Sequence, residues 1–187
     1  MYENIIREVR DRLEYDIFND DLYRLINNSN NKKLMIYTIL HRRALFNCVD
    51  KTKFKGMFRN HDLDKLAYYL YLPKTKASEI HRATQSHHYR DTSNYNALCE
   101  MVFDWESAHY TKPDKQLSAY ETLKAFYPSM QDRIEPILKD LGYWEVGNYE
   151  QLTSYEYSNL LLTVSVDDIV DELKKSLSYL DDILQRE

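Results

Sequence analysis

The chain has 187 residues, 43% apolar and 29% charged, with three Gly and four Pro. That is enough apolar material for one buried core and too few turn residues for a collagen-like, linker-rich or hairpin-rich design. The formal charge of −5 argues against a binder of duplex nucleic acid, and no window approaches the run of about 18 apolar residues that a membrane span needs. Met1-Tyr2-Glu3-Asn4 opens on neither a basic nor an apolar stretch, so no signal peptide is expected and the protein reads as cytoplasmic. Cys48 and Cys99 are too few for a disulfide scaffold and are expected as reduced core thiols.

Residues 2–27 place Ile5, Val9, Leu13 and Ile17 four apart, one stripe of an amphipathic helix. Asn27-Asn28-Ser29-Asn30-Asn31 is a polar break that can cap a second helix, Lys32 to about Cys48, with His41 in its middle. Lys51 to Arg59 reads as a basic loop around Gly56. Asn60 is the expected N-cap of a third helix, His61 to Leu72, stopped by Pro73. A shorter helical piece follows from Ser78 to about His88, then a strong helix from Asn94 to Tyr110 carrying Leu98, Met101, Val102 and Trp105, with Pro113 just past it. Ser118 to Phe126 and Asp132 to Leu141 are helical, Pro136 falling in the first turn of the latter and Gly142 at its C′ position. Thr153 and Glu156 have capping-box spacing before Tyr157 to Leu162. The strand-like run Leu160 to Val166 is taken as a helix end plus a linker. Asp167 then caps a last helix with Ile169, Leu173, Leu177, Leu180 and Leu184 on one stripe. The pattern predicts an all-α chain, a single helical bundle over 1–187 without an internal boundary. The last stripe must be buried, either by folding back on its own domain or in a homodimer of paired C-terminal helices.

The middle of the chain is chemically unlike its ends. Residues 31–90 hold 13 Lys and Arg against 4 Asp and Glu, and all six histidines fall between His41 and His109. His61-Asp62 offers an imidazole and a carboxylate at one helix start, and Lys65 shares their face. His81 and His88 are seven apart, one face of a continuous helix; His87 would turn inward if the chain broke at Gln85-Ser86. Asp104 lies mid-helix with Glu100 one turn before it. Singly, each is an ordinary core or surface residue. As an ordered set on successive helices, His41, His61, Asp62, His81, His87, His88 and Asp104 point to a divalent transition metal. Imidazole with carboxylate suits Zn, Fe, Mn, Co or Ni, with Mg also admitted, and does not suit Ca. His109, beyond the last carboxylate and beside Tyr110, is left outside the set.

This arrangement resembles the HD-domain superfamily of metal-dependent phosphohydrolases. His61-Asp62-Leu63-Asp64-Lys65 looks like that family's His-Asp-x-x-Lys core, with His41 as the upstream His and Asp104 as the distal Asp. More closely, His41-Arg42-Arg43, the His-Asp-Leu-Asp-Lys run, His81 with His87-His88, and Glu100 to Trp105 resemble an uncharacterised HD-like family of bacteria and their phages. The likeness covers about residues 35–110. It implies an HD-like helical bundle with a metal-site core at about 31–110 and a C-terminal helical extension at about 116–187, in a bacterial or phage-infected cell. Only five residues separate His81 from His87, a shorter gap than in the cyclic-dinucleotide phosphodiesterase branch.

The expected activity is hydrolysis of a small anionic phosphoester, above all a nucleotide. One metal on His41, His61, Asp62 and Asp104 would keep open positions for water and a phosphoryl oxygen. A second on His81 with His87 or His88, Asp62 bridging, would clamp the attacking and leaving oxygens. Asp62 and Lys65 are the expected catalytic residues, Lys65 offsetting charge on the phosphoryl group. Arg42, Arg43, Arg82 and Arg90 flank the ligands as expected phosphate forks. Two rival readings are a phage-type protein that sequesters a nucleotide or a host protein, and a di-iron oxygenase of the same superfamily.

Overall fold

The computed structural model describes residues 1–113, 117–146 and 152–186; the expected extension boundary near 116 lies outside them. All regular structure among the described residues is helical, as the sequence predicts. Ten α-helices occur: α1 (Glu3–Phe18), α2 (Leu22–Asn28), α3 (Lys32–Val49), α4 (Leu63–Tyr71), α5 (Lys74–Thr84), α6 (Tyr95–Ala108), α7 (Ala119–Phe126), α8 (Gln131–Leu141), α9 (Ser154–Leu162) and α10 (Val166–Leu184). Short 3-10 turns lie at Ser86–His88 and Pro128–Met130. Chain contacts divide into two compact units, residues 1–39, 60–84 and 162–187 in the first and 40–59 and 85–161 in the second.

The first unit is built around α4 and α10. α10 packs on α4, α1 and α2, and α4 on α5 and α1. The buried stripe of α10 is Ile169, Val170, Leu173, Ser176, Tyr179, Leu180 and Ile183, so the C-terminal helix covers its apolar face within its own unit. Its N-cap is Ser165, whose hydroxyl accepts from the Asp168 backbone N–H at 3.1 Å while the Asp168 carboxylate accepts from the Ser165 N–H at 2.8 Å. Asp167 is thus inside the helix rather than its cap, because the Ser165–Asp168 pair completes a reciprocal capping box. Leu173 is fully buried. Leu173→Ala is expected to cost about 2–5 kcal/mol, read as a lowered urea midpoint with an unchanged slope.

The single N-terminal helix expected over 2–27 is two helices. Asp20 adopts φ +55, the Asp20 N–H donates to the Ile17 carbonyl at 3.2 Å, and the Asp21 N–H donates to the Asp16 carbonyl at 3.0 Å. This is a Schellman ending with aspartate in the left-handed position that glycine usually fills. Ile6, Val9 and Leu13 form the buried stripe of α1; Val9 and Leu13 are buried as expected, while Ile5 and Ile17 are half-buried beside them. Asn31 closes α4 as well as opening α3: its Nδ2 donates to the carbonyls of Tyr69 and Leu72 at 2.9 and 3.0 Å. α5 starts at Lys74 rather than Ser78, since Pro73 ends the preceding segment and its carbonyl accepts from the Ala77 N–H at 3.0 Å.

The second unit packs α7 and α8 against α6. Its core joins Leu45, Cys48 and Val49 of α3 to Leu98, Met101, Val102 and Phe103 of α6 and to Leu123, Ile134 and Leu138 of α7 and α8. Both cysteines are free and buried. The basic loop 51–59 is anchored, not loose. Phe54 and Phe58 pack on Phe103 with ring centroids 5.8 and 5.9 Å away, and Arg59 pairs with Asp50 at 2.6 Å. Asn94, Ser118 and Thr153 cap α6, α7 and α9, the last as its spacing from Glu156 predicts. Gly142 takes φ +74 after α8, with the Tyr143 N–H donating to the Leu138 carbonyl at 2.7 Å. Pro136 stands in the second turn of α8, not the first, because the helix opens at Gln131; Pro136 and Asp132, whose carbonyl the missing N–H would meet, are both exposed.

Candidate metal centre

In the first unit the chemistry starts one step before a helix. α4 begins at Leu63, not His61, and Asn60 is not its cap. The Leu63 N–H donates to the Asn60 carbonyl at 3.1 Å, forming a tight turn in which Asp62 adopts φ 57, ψ 9. Aspartate tolerates this left-handed conformation better than most residues, and such backbone gathers at functional sites. From that turn Asp62 points its carboxylate at three cations or imidazoles. Its Oδ1 lies 2.9 Å from Lys65 Nζ, 3.1 Å from His81 Nε2 on α5, and 3.7 Å from His61 Nε2. Ser176 of α10 holds the turn from behind: its Oγ donates to the Leu63 carbonyl at 2.8 Å.

His61, Asp62 and His81 are buried and belong to a His/Asp cluster that could hold a metal ion. Burial pushes the Asp62 carboxyl up, but Lys65, His61 and His81 together outweigh it and hold it well below the usual carboxylate range. Burial lowers His81, yet Asp64 and Asp62 on either side raise it overall. Asp64 was not singled out from the sequence. It is fully buried in the first turn of α4, with Oδ2 2.9 Å from His81 Nδ1. The only sequence signal for it is an acid beside Lys65 between Leu63 and Leu66 at the start of the helix.

In the second unit α6 presents two acids one turn apart. His41 Nε2 on α3 meets Asp104 Oδ1 at 2.9 Å, joining the upstream His and the distal Asp across 63 positions of sequence. His87 Nδ1 lies 3.3 Å from Glu100 Oε1, making Glu100 a second acid that the expected ligand set lacked. The chain does break after α5: Gln85 is extended at φ −107, ψ 118, and His87 turns inward and is buried. His81 and His88 therefore do not share a continuous helix. The rings of His87 and His88 lie with centroids 4.2 Å apart and tilted by 47°, His88 being half-buried.

The four arginines differ. Arg42 is buried and donates to the Arg59 carbonyl at 2.9 Å, its guanidinium over the Phe46 ring at 5.0 Å. Arg43, Arg82 and Arg90 are exposed. Arg82 lines a shallow groove with Tyr2, Lys74 and Ser78, and Arg90 lies over Tyr127 at 4.7 Å. His109 is buried at the end of α6 beside Tyr110, and burial lowers its pKa against the pull of Glu106.

The donor set fits a transition metal: imidazole nitrogens and carboxylate oxygens, with no thiolate among them. Cys48 lies in the apolar core, and burial, with Glu106 adding to it, pushes its thiol up to about 11. Comparison with protein-family models, with curated proteins and with solved structures finds no match to this chain. Fold and site together define an all-α protein with a buried His/Asp cluster that could hold a metal ion.

Proposed function

We propose that this chain is a metal-dependent phosphohydrolase of the HD type, acting on a nucleotide or another small phosphoester. The observation that carries the reading is Asp62: a buried carboxylate on a left-handed turn with His61, His81 and Lys65 converging on it. In this reading His61, Asp62 and His81 would supply ligands to a divalent transition metal from the first unit, and His41, His87, His88 and Asp104 are the candidate ligands of the second. When bound, the metal supplies Lewis acidity towards a phosphoryl oxygen and lowers the pKa of water towards neutrality.

The chain's own residues do the rest. Asp62 fixes Lys65 Nζ at 2.9 Å, so the ammonium is positioned without being sealed from solvent; its side chain keeps 21% of its exposure. From there it offsets charge that develops on a transferring phosphoryl group. His61 and His81 are buried and keep bulk water from their side of Asp62. Arg43, Arg82 and Arg90 supply exposed cations, and the excess of nine positive charges over residues 31–90 draws an anionic substrate.

Lys65→Ala is expected to keep the metal but to slow turnover by tenfold or more, about 1.4 kcal/mol of lost transition-state stabilisation. Unchanged kinetics would return Lys65 to a solvated helix lysine. The reading itself is tested by a nucleotide and phosphoester panel with Mn²⁺, Mg²⁺, Co²⁺ and Fe²⁺. Metal-dependent release of phosphate or of a nucleoside product is the expected result. Stoichiometric nucleotide binding without turnover would replace it with a sequestering protein, and O₂ consumption by an iron-loaded chain with an oxygenase.

A further inference from the structure

Asp64 has no role in the hydrolytic scheme above, yet both of its carboxylate oxygens face one ring nitrogen. Oδ2 and Oδ1 lie 2.9 and 3.0 Å from His81 Nδ1, and both residues are fully buried. The other nitrogen, Nε2, lies 3.1 Å from Asp62 Oδ1. Residues two apart on a helix point to different sides. Asp62 and Asp64 nevertheless reach the same imidazole, because Asp62 stands in the left-handed turn before α4 while Asp64 is in its first turn. One short segment thus grips the ring from both edges. A carboxylate against Nδ1 accepts from an N–H there, and Asp62 stands to Nε2 in the same way, so a metal held between Nε2 and Asp62 would take the place of the proton on Nε2 and leave the one on Nδ1. A carboxylate on the far nitrogen of a ligating imidazole fixes its tautomer and its orientation. A buried ion pair adds little to stability by itself, so the arrangement asks for another use.

We infer that Asp64 is a positioning residue for metal binding, locking His81 in the tautomer with Nδ1–H so that Nε2 is the ligand atom offered beside Asp62. This inference rests on the metal-dependent reading and adds to it a residue that touches neither metal nor substrate. Asp64→Asn preserves shape and removes the charge that holds the ring.

Co²⁺ titrated into full-length wild type, Asp64→Asn and His81→Ala, followed by calorimetry and visible absorption, tests it. The expected result for Asp64→Asn is an affinity lower by about 10–100-fold, a spectral change in the same direction as that of His81→Ala, and cooperative unfolding like the wild type. Wild-type affinity in Asp64→Asn beside weakened binding in His81→Ala would overturn the positioning role and leave the metal reading standing. Equal affinity in all three would overturn both. A measurement on the wild type alone covers the case in which Asp64→Asn does not fold. Nitrogen-15 spectra of the Zn²⁺-loaded chain are expected to show His81 protonated at Nδ1 and ligated through Nε2. A proton on Nε2 instead would overturn the inference.

Discussion

Asp62→Ala and His61→Ala are each expected to abolish metal retention while the helical circular-dichroism signal survives. Loss of an outer partner of a metal ligand costs about 10–100-fold in affinity, and loss of the ligand itself costs more. The fold should tolerate the changes, because Asp62 stands in the turn ahead of α4 and the helix is held by buried Leu63, Leu66, Ala67 and Tyr68. Alanine at φ 57 carries a backbone cost of about 1–2 kcal/mol. Asp62→Asn separates the two effects, since asparagine accepts the left-handed turn and removes only the negative charge. Metal content by elemental mass spectrometry is the readout. Full metal content in both alanine variants would mean that the assigned site is wrong.

Ending the chain after Val166 is expected to destroy the first unit. α10 buries Ile169, Leu173, Leu180 and Ile183 against partners on α4, α1 and α2. At about 1.5–3 kcal/mol for each buried aliphatic side chain, these four alone contribute on the order of the 5–15 kcal/mol that stabilises a whole domain. The cut also removes Ser176 from behind the turn that carries Asp62. The shortened chain should lose cooperative thermal unfolding and its near-ultraviolet signal together. A folded, shortened chain that melts like the parent would show that the stripe belongs to an interface between copies. Light scattering on the full-length protein then gives the oligomeric state.

The contrast between two helix ends shows why part of the fold was legible. α1 and α8 both end in a Schellman turn, at Asp20 and Gly142. Glycine announces a left-handed residue because its missing Cβ removes the penalty; aspartate in the same place reads like any polar helix residue. The break at Gly142 was therefore predicted and the one at Asp20 was not. Capping boxes are equally local, so Thr153 with Glu156 follows from spacing alone. Asp167 failed as a cap because a second polar residue, Ser165, stood two positions earlier with an acid three residues on.

The candidate site divides in the same way. His61, Asp62 and Lys65 are neighbours in sequence, and their convergence needs only one turn of chain. The pairing of His41 with Asp104 spans two helices, and was expected from the ordered ligand types and the resemblance rather than from any local pattern. Asp64 stays outside the expected ligand set, as does Glu100 although it is noted one turn before Asp104, because an acid on a helix is normally solvated. Only the packing of α5 on α4, which brings His81 to Asp64 at 2.9 Å, and the inward turn of His87 give them partners. Arg42 shows the opposite error: its place beside His41 suggested a phosphate fork, but its side of α3 faces the interior and its guanidinium serves the Arg59 carbonyl.

Anomalous diffraction from crystals grown with Mn²⁺ tests the metal centre most directly. The expected result is an anomalous peak within direct ligand distance of both the His61 imidazole and the Asp62 carboxylate. Crystals with no ordered Mn²⁺, or with Mn²⁺ bound only at acids away from Asp62, would contradict it.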